Sequence, residues 1–156
     1  MTTNDPNDRL DAADDIHNRV RAGLAREDQR YTTSRRQLVA LLVRAERPVT
    51  LPELLDMDPE LPQSSAYRNL EVLERTGLVR RISAGADHAH YELAEPLVGH
   101  HHHLICLGCG KVLDIRLDDA FEASIDKELE RVGRLADFTP SHHNVDLYGN
   151  CSDCQG

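Results

Sequence analysis

Residues Pro62–Arg81 read PQSSAYRNLEVLERTGLVRR. Ala66, Leu70, Val72 and Leu73 recur at helical spacing, and the period then shortens to that of a strand over Leu78-Val79-Arg80-Arg81-Ile82. Ser64-Ser65 opens the predicted helix and Thr76-Gly77 closes it. Its first turns present Ser64, Ser65, Tyr67 and Arg68, side chains suited to base edges and phosphates when a helix enters the major groove. Arg80 and Arg81 suit phosphate contacts from the strand that follows. A solvated helix and a charged hairpin would share this pattern, so the flanking sequence has to decide.

Upstream, Ile16, Val20 and Leu24 predict a short amphipathic helix, and Thr33-Ser34 caps a second one carrying Leu38, Leu41 and Leu42. Pro48 ends that helix, Thr50 caps the next (LPELLDM), and Pro59 and Pro62 bracket the turn after it. Downstream, a turn at Ala84-Gly85-Ala86-Asp87 leads into a strand over His88–Leu93. Helices, a turn, a helix and a two-stranded hairpin follow in the order of a winged helix-turn-helix. The acidic stretch 1–15 reads as a disordered tail, 16–95 as the winged-helix DNA-binding domain, 96–99 as a hinge and 100–156 as a metal-binding domain.

A net charge of -9 argues against indiscriminate nucleic-acid binding. Its distribution does not: between Ile16 and Thr50 eight arginines, Arg30 and Arg35 among them, face only Glu27, Asp28 and Glu46. That is a local basic face on an acidic protein. No stretch approaches the roughly 18 to 20 apolar residues of a membrane span. The polar, acidic start is unlike a secretory signal, so a cytoplasmic location is expected, with no membrane partner.

The second half carries metal chemistry. Cys106-x-x-Cys109 and Cys151-x-x-Cys154 account for all four cysteines, and two such knuckles can close a tetrahedral thiolate cage around Zn²⁺, with Gly108 and Gly110 permitting the tight turn. A redox reading needs one pair and leaves the other unexplained. Four histidines, His100 to His103, precede the first knuckle on a predicted strand from His101 to Cys106. Alternation sends His101 and His103 to one side and His100 and His102 to the other, so one run can feed two sites. His88, His90 and Glu92 share a face of the wing strand. Asp114, Glu122, Asp126 and the pair His142-His143 offer further nitrogen and oxygen ligands. A second strand over Lys111–Ile115, a helix over Asp118–Val132 and a last strand over His143–Tyr148 complete an α+β fold.

These segments together resemble the ferric uptake regulator family of bacterial metal-dependent repressors over about Arg30 to Cys154. SSAYRNLEVLERTGLV is similar to the family's recognition helix, HHHHLICLGCGKVLDI to its histidine and first-knuckle segment, and SHHNVDLYGNCSDC to its C-terminal ligand and knuckle. The resemblance implies a winged helix followed by a small α/β dimerisation domain, a homodimer, and binding to double-stranded operator DNA when metal is loaded. It implies structural zinc at the four cysteines. It implies a sensing site at His101 and His103 with Glu92, and a second site at His100, His102 and His143 with Glu122 or Asp126. Asp114 is a further candidate there. Arg30, Tyr67 and Arg68 match positions used on DNA, to which the basic Arg35 is added.

Pro48 stands where iron regulators of this family carry a histidine, so His90, with His88 behind it, is the expected substitute. His102 replaces an aspartate often found there. With every cysteine in a knuckle, the sensing site has only N and O donors, which suits Fe²⁺, with Zn²⁺, Mn²⁺ or Ni²⁺ as alternatives. Asp114 is shorter than the glutamate common in iron sensors and also resembles the peroxide-sensing branch. An enzyme reading rests on His90-Tyr91-Glu92 and Cys106-x-x-Cys109, superficially the pattern of a zinc deaminase. It lacks the proline before the first Cys, puts both segments on strands and idles Cys151 and Cys154. A zinc-ribbon interaction module leaves the arginine-rich helices unexplained.

Overall fold

Caps and apolar spacing place most elements of the computed structural model, which describes residues 6–84 and 88–155. Its described residues fall into two compact units that meet at Gly99 and His100.

The first unit opens with α1 (Pro6–Arg26), which starts well ahead of the expected Ile16. Residues 6–15 are therefore helical rather than a tail. Proline is tolerated in a helix's first turn, so Pro6 can open α1. Next come α2 (Thr33–Ala45), β1 (Val49–Thr50), α3 (Leu51–Met57) and α4 (Gln63–Arg75). Then follow β2 (Val79–Ala84), β3 (His88–Leu93) and α5 (Glu95–Val98). The cap of α2 is Thr32, one residue before the expected pair, and α4 starts from Pro62 without a side-chain cap. The span expected as a hinge, 96–99, is mostly the short helix α5, whose Leu97 is buried. The expected turn at 84–87 lies, from residue 85 on, outside the described residues.

Thr50 caps α3 with a full capping box. Its hydroxyl accepts the Glu53 N–H at 3.3 Å, while Glu53 accepts the Thr50 N–H at 2.7 Å. Burial raises the Glu53 pKa, but the Thr50 N–H and the Arg47 guanidinium outweigh it and leave it below the usual carboxylate range. Thr50→Ala should therefore lower stability by about 1 kcal/mol, measured as a shifted urea midpoint with an unchanged slope.

β1, β3 and β2 form an antiparallel sheet in that order, pairing Val49 with Tyr91 and Arg80 with Glu92. β1 is too short for its period to register in the sequence. Val20 and Leu24 of α1, Leu38 and Leu42 of α2, Leu54 of α3 and Leu70 and Leu73 of α4 fill the core behind it. Pro48 is fully buried in this unit.

The second unit contains β4 (His102–Cys106), β5 (Val112–Ile115), α6 (Asp119–Leu135), β6 (Asp146–Gly149) and a single 3₁₀ turn, Ser152–Cys154. The sheet order is β5-β4-β6, with β4 antiparallel to β5 and parallel to β6. A parallel pair needs a crossover, and α6 lies in it. Asp118 caps α6 by accepting the Ala120 N–H at 3.0 Å, and the helix runs one turn past the expected Val132. β6 starts three residues later than expected, leaving His143 on the loop before it. The buried apolar side chains here are few, Ile105, Cys106 and Val112 among them, so this unit needs more than a hydrophobic core.

Candidate metal centres and nucleic-acid face

Three groups of metal-type side chains form in the second unit. The sulfurs of Cys106, Cys109, Cys151 and Cys154 all lie within 4.8 Å of one another. Gly110, at φ +73°, makes the turn after the first knuckle, so glycine there relieves backbone strain. Gly108 serves for another reason: a Cβ would meet the Cβ and Sγ of Cys154 at 2.9 Å. The Cys151 N–H donates to Cys106 Sγ at 3.3 Å, and with the amides of Cys109 and Gly108 it pulls the Cys106 thiol down to about 6. The Cys151, Cys109 and Cys106 sulfurs push Cys154 up to about 12. Four sulfurs this close ionise together only around a cation, and the tetrathiolate set fits Zn²⁺.

The second group combines His100, His102, Glu122 and His143 within the same 4.8 Å limit. Glu122 Oε1 lies 2.6 Å from His102 Nε2, and Oε2 lies 3.2 Å from His143 Nε2 and 3.6 Å from His100 Nε2. Burial raises the Glu122 pKa, yet the hydrogen bond and charge of His102, with His100 and His143 behind it, hold it low. Asp126, the rival for this place, instead contacts the outer nitrogen of His143 at 3.2 Å. His142 is exposed and meets Ser141.

His101, His103 and Asp114 form a third group. Asp114 thus stands with these histidines, not in the second group where it had been expected. The physical reason is sheet register: β4 and β5 place His103 opposite Asp114. The parallel neighbour β6 places Asp146 opposite His103 from the other side, with Asp146 Oδ1 3.1 Å from His103 Nδ1. Sequence reasoning missed Asp146, because nothing local pairs it with a residue 43 positions away.

In the first unit, His90 and Glu92 are both buried on β3. Glu92 Oε1 lies 4.0 Å from the Arg80 guanidinium on the paired strand β2. The side chain of His88 lies outside the described residues.

The candidate nucleic-acid face is α4. Ala66, Leu70 and Leu73 are buried, leaving Ser64, Tyr67 and Arg68 exposed and Ser65 half-buried on the first turns. Tyr67 is 51% exposed, a large ring with no place in the core. Arg30 is exposed, whereas Arg35 is half-buried and donates to Asn69 Oδ1 at 3.0 Å. Asn69 in turn donates to Ser65 Oγ at 3.3 Å, so Arg35 braces the helix through a residue that sequence reading passed over.

Known proteins resemble this chain in sequence and fold. The family model described as the ferric uptake regulator family matches residues 26–148. The ferric uptake regulation protein of Synechococcus elongatus is 33% identical over 106 residues, an alignment spanning 65% of each chain, just under two thirds. The peroxide-responsive repressor PerR of Staphylococcus aureus is 27% identical over 139 residues, covering 86% of this chain and 88% of its own. The solved ferric uptake regulator of Helicobacter pylori shares the fold at a TM-score of 0.70 and 24% identity, over 92% of this chain and 94% of that one. The family model spans well over half of the chain, and the chain belongs to the ferric uptake regulator family of metal-responsive regulators, which are not enzymes.

Proposed function

We propose that this regulator is an iron(II)-responsive repressor that binds palindromic operator DNA as a cytoplasmic homodimer. The observation that carries the reading is the sulfur-free group of His101, His103 and Asp114, since imidazole and carboxylate donors together suit Fe²⁺ or Mn²⁺ better than a thiolate-bearing site does. The similarity to the Synechococcus elongatus protein supports the same choice. Glu92 and His90, with His88 behind them, are the ligands proposed from the winged-helix unit. Bound metal supplies a coordination shell that only the DNA-binding arrangement fills, so its affinity difference sets the switch. The cysteine cage holds structural zinc, and the group around Glu122 is a second metal centre.

The residues of the chain do the rest. Ser64, Ser65, Tyr67 and Arg68 meet base edges and phosphates, Arg30 adds a phosphate contact, and Arg35 positions α4. The row Leu113, Leu104 and Leu147 lies in register across the second sheet and is 37–46% exposed in the single chain. With Phe121, Val132 and Leu135 of α6 also exposed, a second copy has apolar surface to cover. Two recognition helices then meet half-sites roughly 34 Å apart, one turn of the duplex.

A second reading, peroxide-responsive repression, is favoured by Asp114 and by the longer match to PerR. One experiment covers both. Protein stripped of labile metal, with its cysteine-bound zinc retained, is titrated with Fe²⁺, Mn²⁺, Ni²⁺ or Zn²⁺ against a palindromic duplex selected from a random library. Fe²⁺ should drive retardation at concentrations where buffered Zn²⁺ does not. The reverse order would make this a zinc regulator, and binding that needs no labile metal would refute the switch. Release of DNA when the iron-loaded protein meets hydrogen peroxide would favour the second reading.

A further inference from the structure

We infer that His102 is a hydrogen-bond donor that holds Glu122, and that the second metal centre takes its protein ligands from His100, His143 and Glu122 alone. The inference deepens the reading of this group as a metal centre and rests on it. It comes from what each imidazole meets at its other nitrogen.

A neutral imidazole carries one proton, so one nitrogen donates and the other accepts or binds metal. His103 and His143 each meet a carboxylate at Nδ1, Asp146 at 3.1 Å and Asp126 at 3.2 Å. A carboxylate accepts, so in His103, whose Nε2 stands 3.9 Å from Asp114, the proton sits on Nδ1 and the lone pair on Nε2; His143 meets a carboxylate at each nitrogen, and either one can carry its proton. With the proton on Nδ1, the carboxylate behind a histidine prepares it for metal.

His102 is arranged the opposite way. The Val145 N–H donates to its Nδ1 at 3.1 Å. An N–H there demands an acceptor, which places the His102 proton on Nε2, 2.6 Å from Glu122 Oε1. Ligation through Nε2 would move the proton to Nδ1, against the Val145 N–H, or require an imidazolate. Neither is available to a buried ring without breaking the contact with the loop that leads into β6. An aspartate in this place could accept the amide with one oxygen and bind metal with the other; a histidine cannot do both.

Glu122 divides accordingly. Oε1 receives the His102 donor. Oε2 faces the Nε2 atoms of His143, at 3.2 Å, and His100, at 3.6 Å. With its proton on Nδ1 toward Asp126, His143 can turn its Nε2 lone pair to a cation shared with Glu122 Oε2, a choice that the Val145 N–H denies to His102. Three protein ligands around Zn²⁺ leave a fourth position for water or another small donor.

The test uses full-length zinc-loaded protein with ¹⁵N-labelled histidine rings. Long-range ¹H–¹⁵N spectra should show the Nε2–H form of His102 both with and without zinc at this centre, while the His143 Nε2 resonance moves on loading. His102→Gln keeps an N–H donor for Glu122 but offers no imidazole, and should retain zinc affinity at this centre within about threefold. A metal-bound nitrogen at His102, or a loss of about tenfold or more in His102→Gln, overturns the inference. A zinc count unchanged by His143→Ala would show that the group binds no zinc at all, which removes the centre itself and the inference with it.

Discussion

Cys151→Ser should abolish the structural zinc and unfold the second unit together. Cys151 gives this unit two things, a sulfur for the cage and an N–H for Cys106 Sγ at 3.3 Å across a separation of 45 residues. β6 is an edge strand whose Leu147 and Tyr148 are exposed, so it contributes little burial of its own. With only a few buried apolar side chains behind the sheet, the unit's stability rests on the cage. Structural zinc contributes about 10–16 kcal/mol of apparent binding energy in small zinc domains, more than the whole stability of most domains of this size. The check is elemental zinc content with hydrogen exchange across β4, β5 and β6: one equivalent fewer and loss of protection in all three strands. A variant short of zinc whose sheet keeps its protection would refute a folding role for the site.

His101→Ala combined with His103→Ala should uncouple DNA binding from metal while leaving the fold in place. Removing two nitrogen donors leaves Asp114 as the remaining member of that group in the second unit, and a lone carboxylate competes poorly with water for a divalent cation. The metal concentration for half-maximal DNA retardation should rise by about a hundredfold or more, judged against the tenfold to hundredfold cost of losing even an outer partner. The cysteine-bound zinc should stay at one equivalent, which separates loss of sensing from loss of folding. An unchanged metal requirement would refute the assignment of these histidines to sensing. Buried as they are, both rings leave cavities, so far-ultraviolet circular dichroism and the zinc count are read on the same preparation.

How far the sequence was legible depended on the range of each interaction. Local signals were read well. Apolar spacing marked α2 and α4, Thr50 marked α3, and the cysteine pairs marked the knuckles. Strand alternation separated His100 and His102 from His101 and His103, because side-chain direction in a strand follows from backbone geometry alone. Where local signals were ambiguous the reading failed. An acidic polar stretch suits a tail and a helix N-terminus equally, and α1 proved to start at Pro6. The span 96–99, with its proline and glycine, read as a linker and is largely helical.

Residue types and spacing alone therefore determined that four sulfurs would meet, that the histidines would divide in two, and that a basic winged helix would lead the chain. Only the tertiary structure decided which carboxylate stands behind which histidine. Asp114 and Asp146 flank His103 because β5 and β6 pair with β4 in one particular register. Glu122 rather than Asp126 meets Oε-to-nitrogen with three rings, and the Val145 amide faces His102. Register between strands distant in sequence is set by packing and cross-strand pairing, not by any local pattern, and it is that register which decides which carboxylates flank His103.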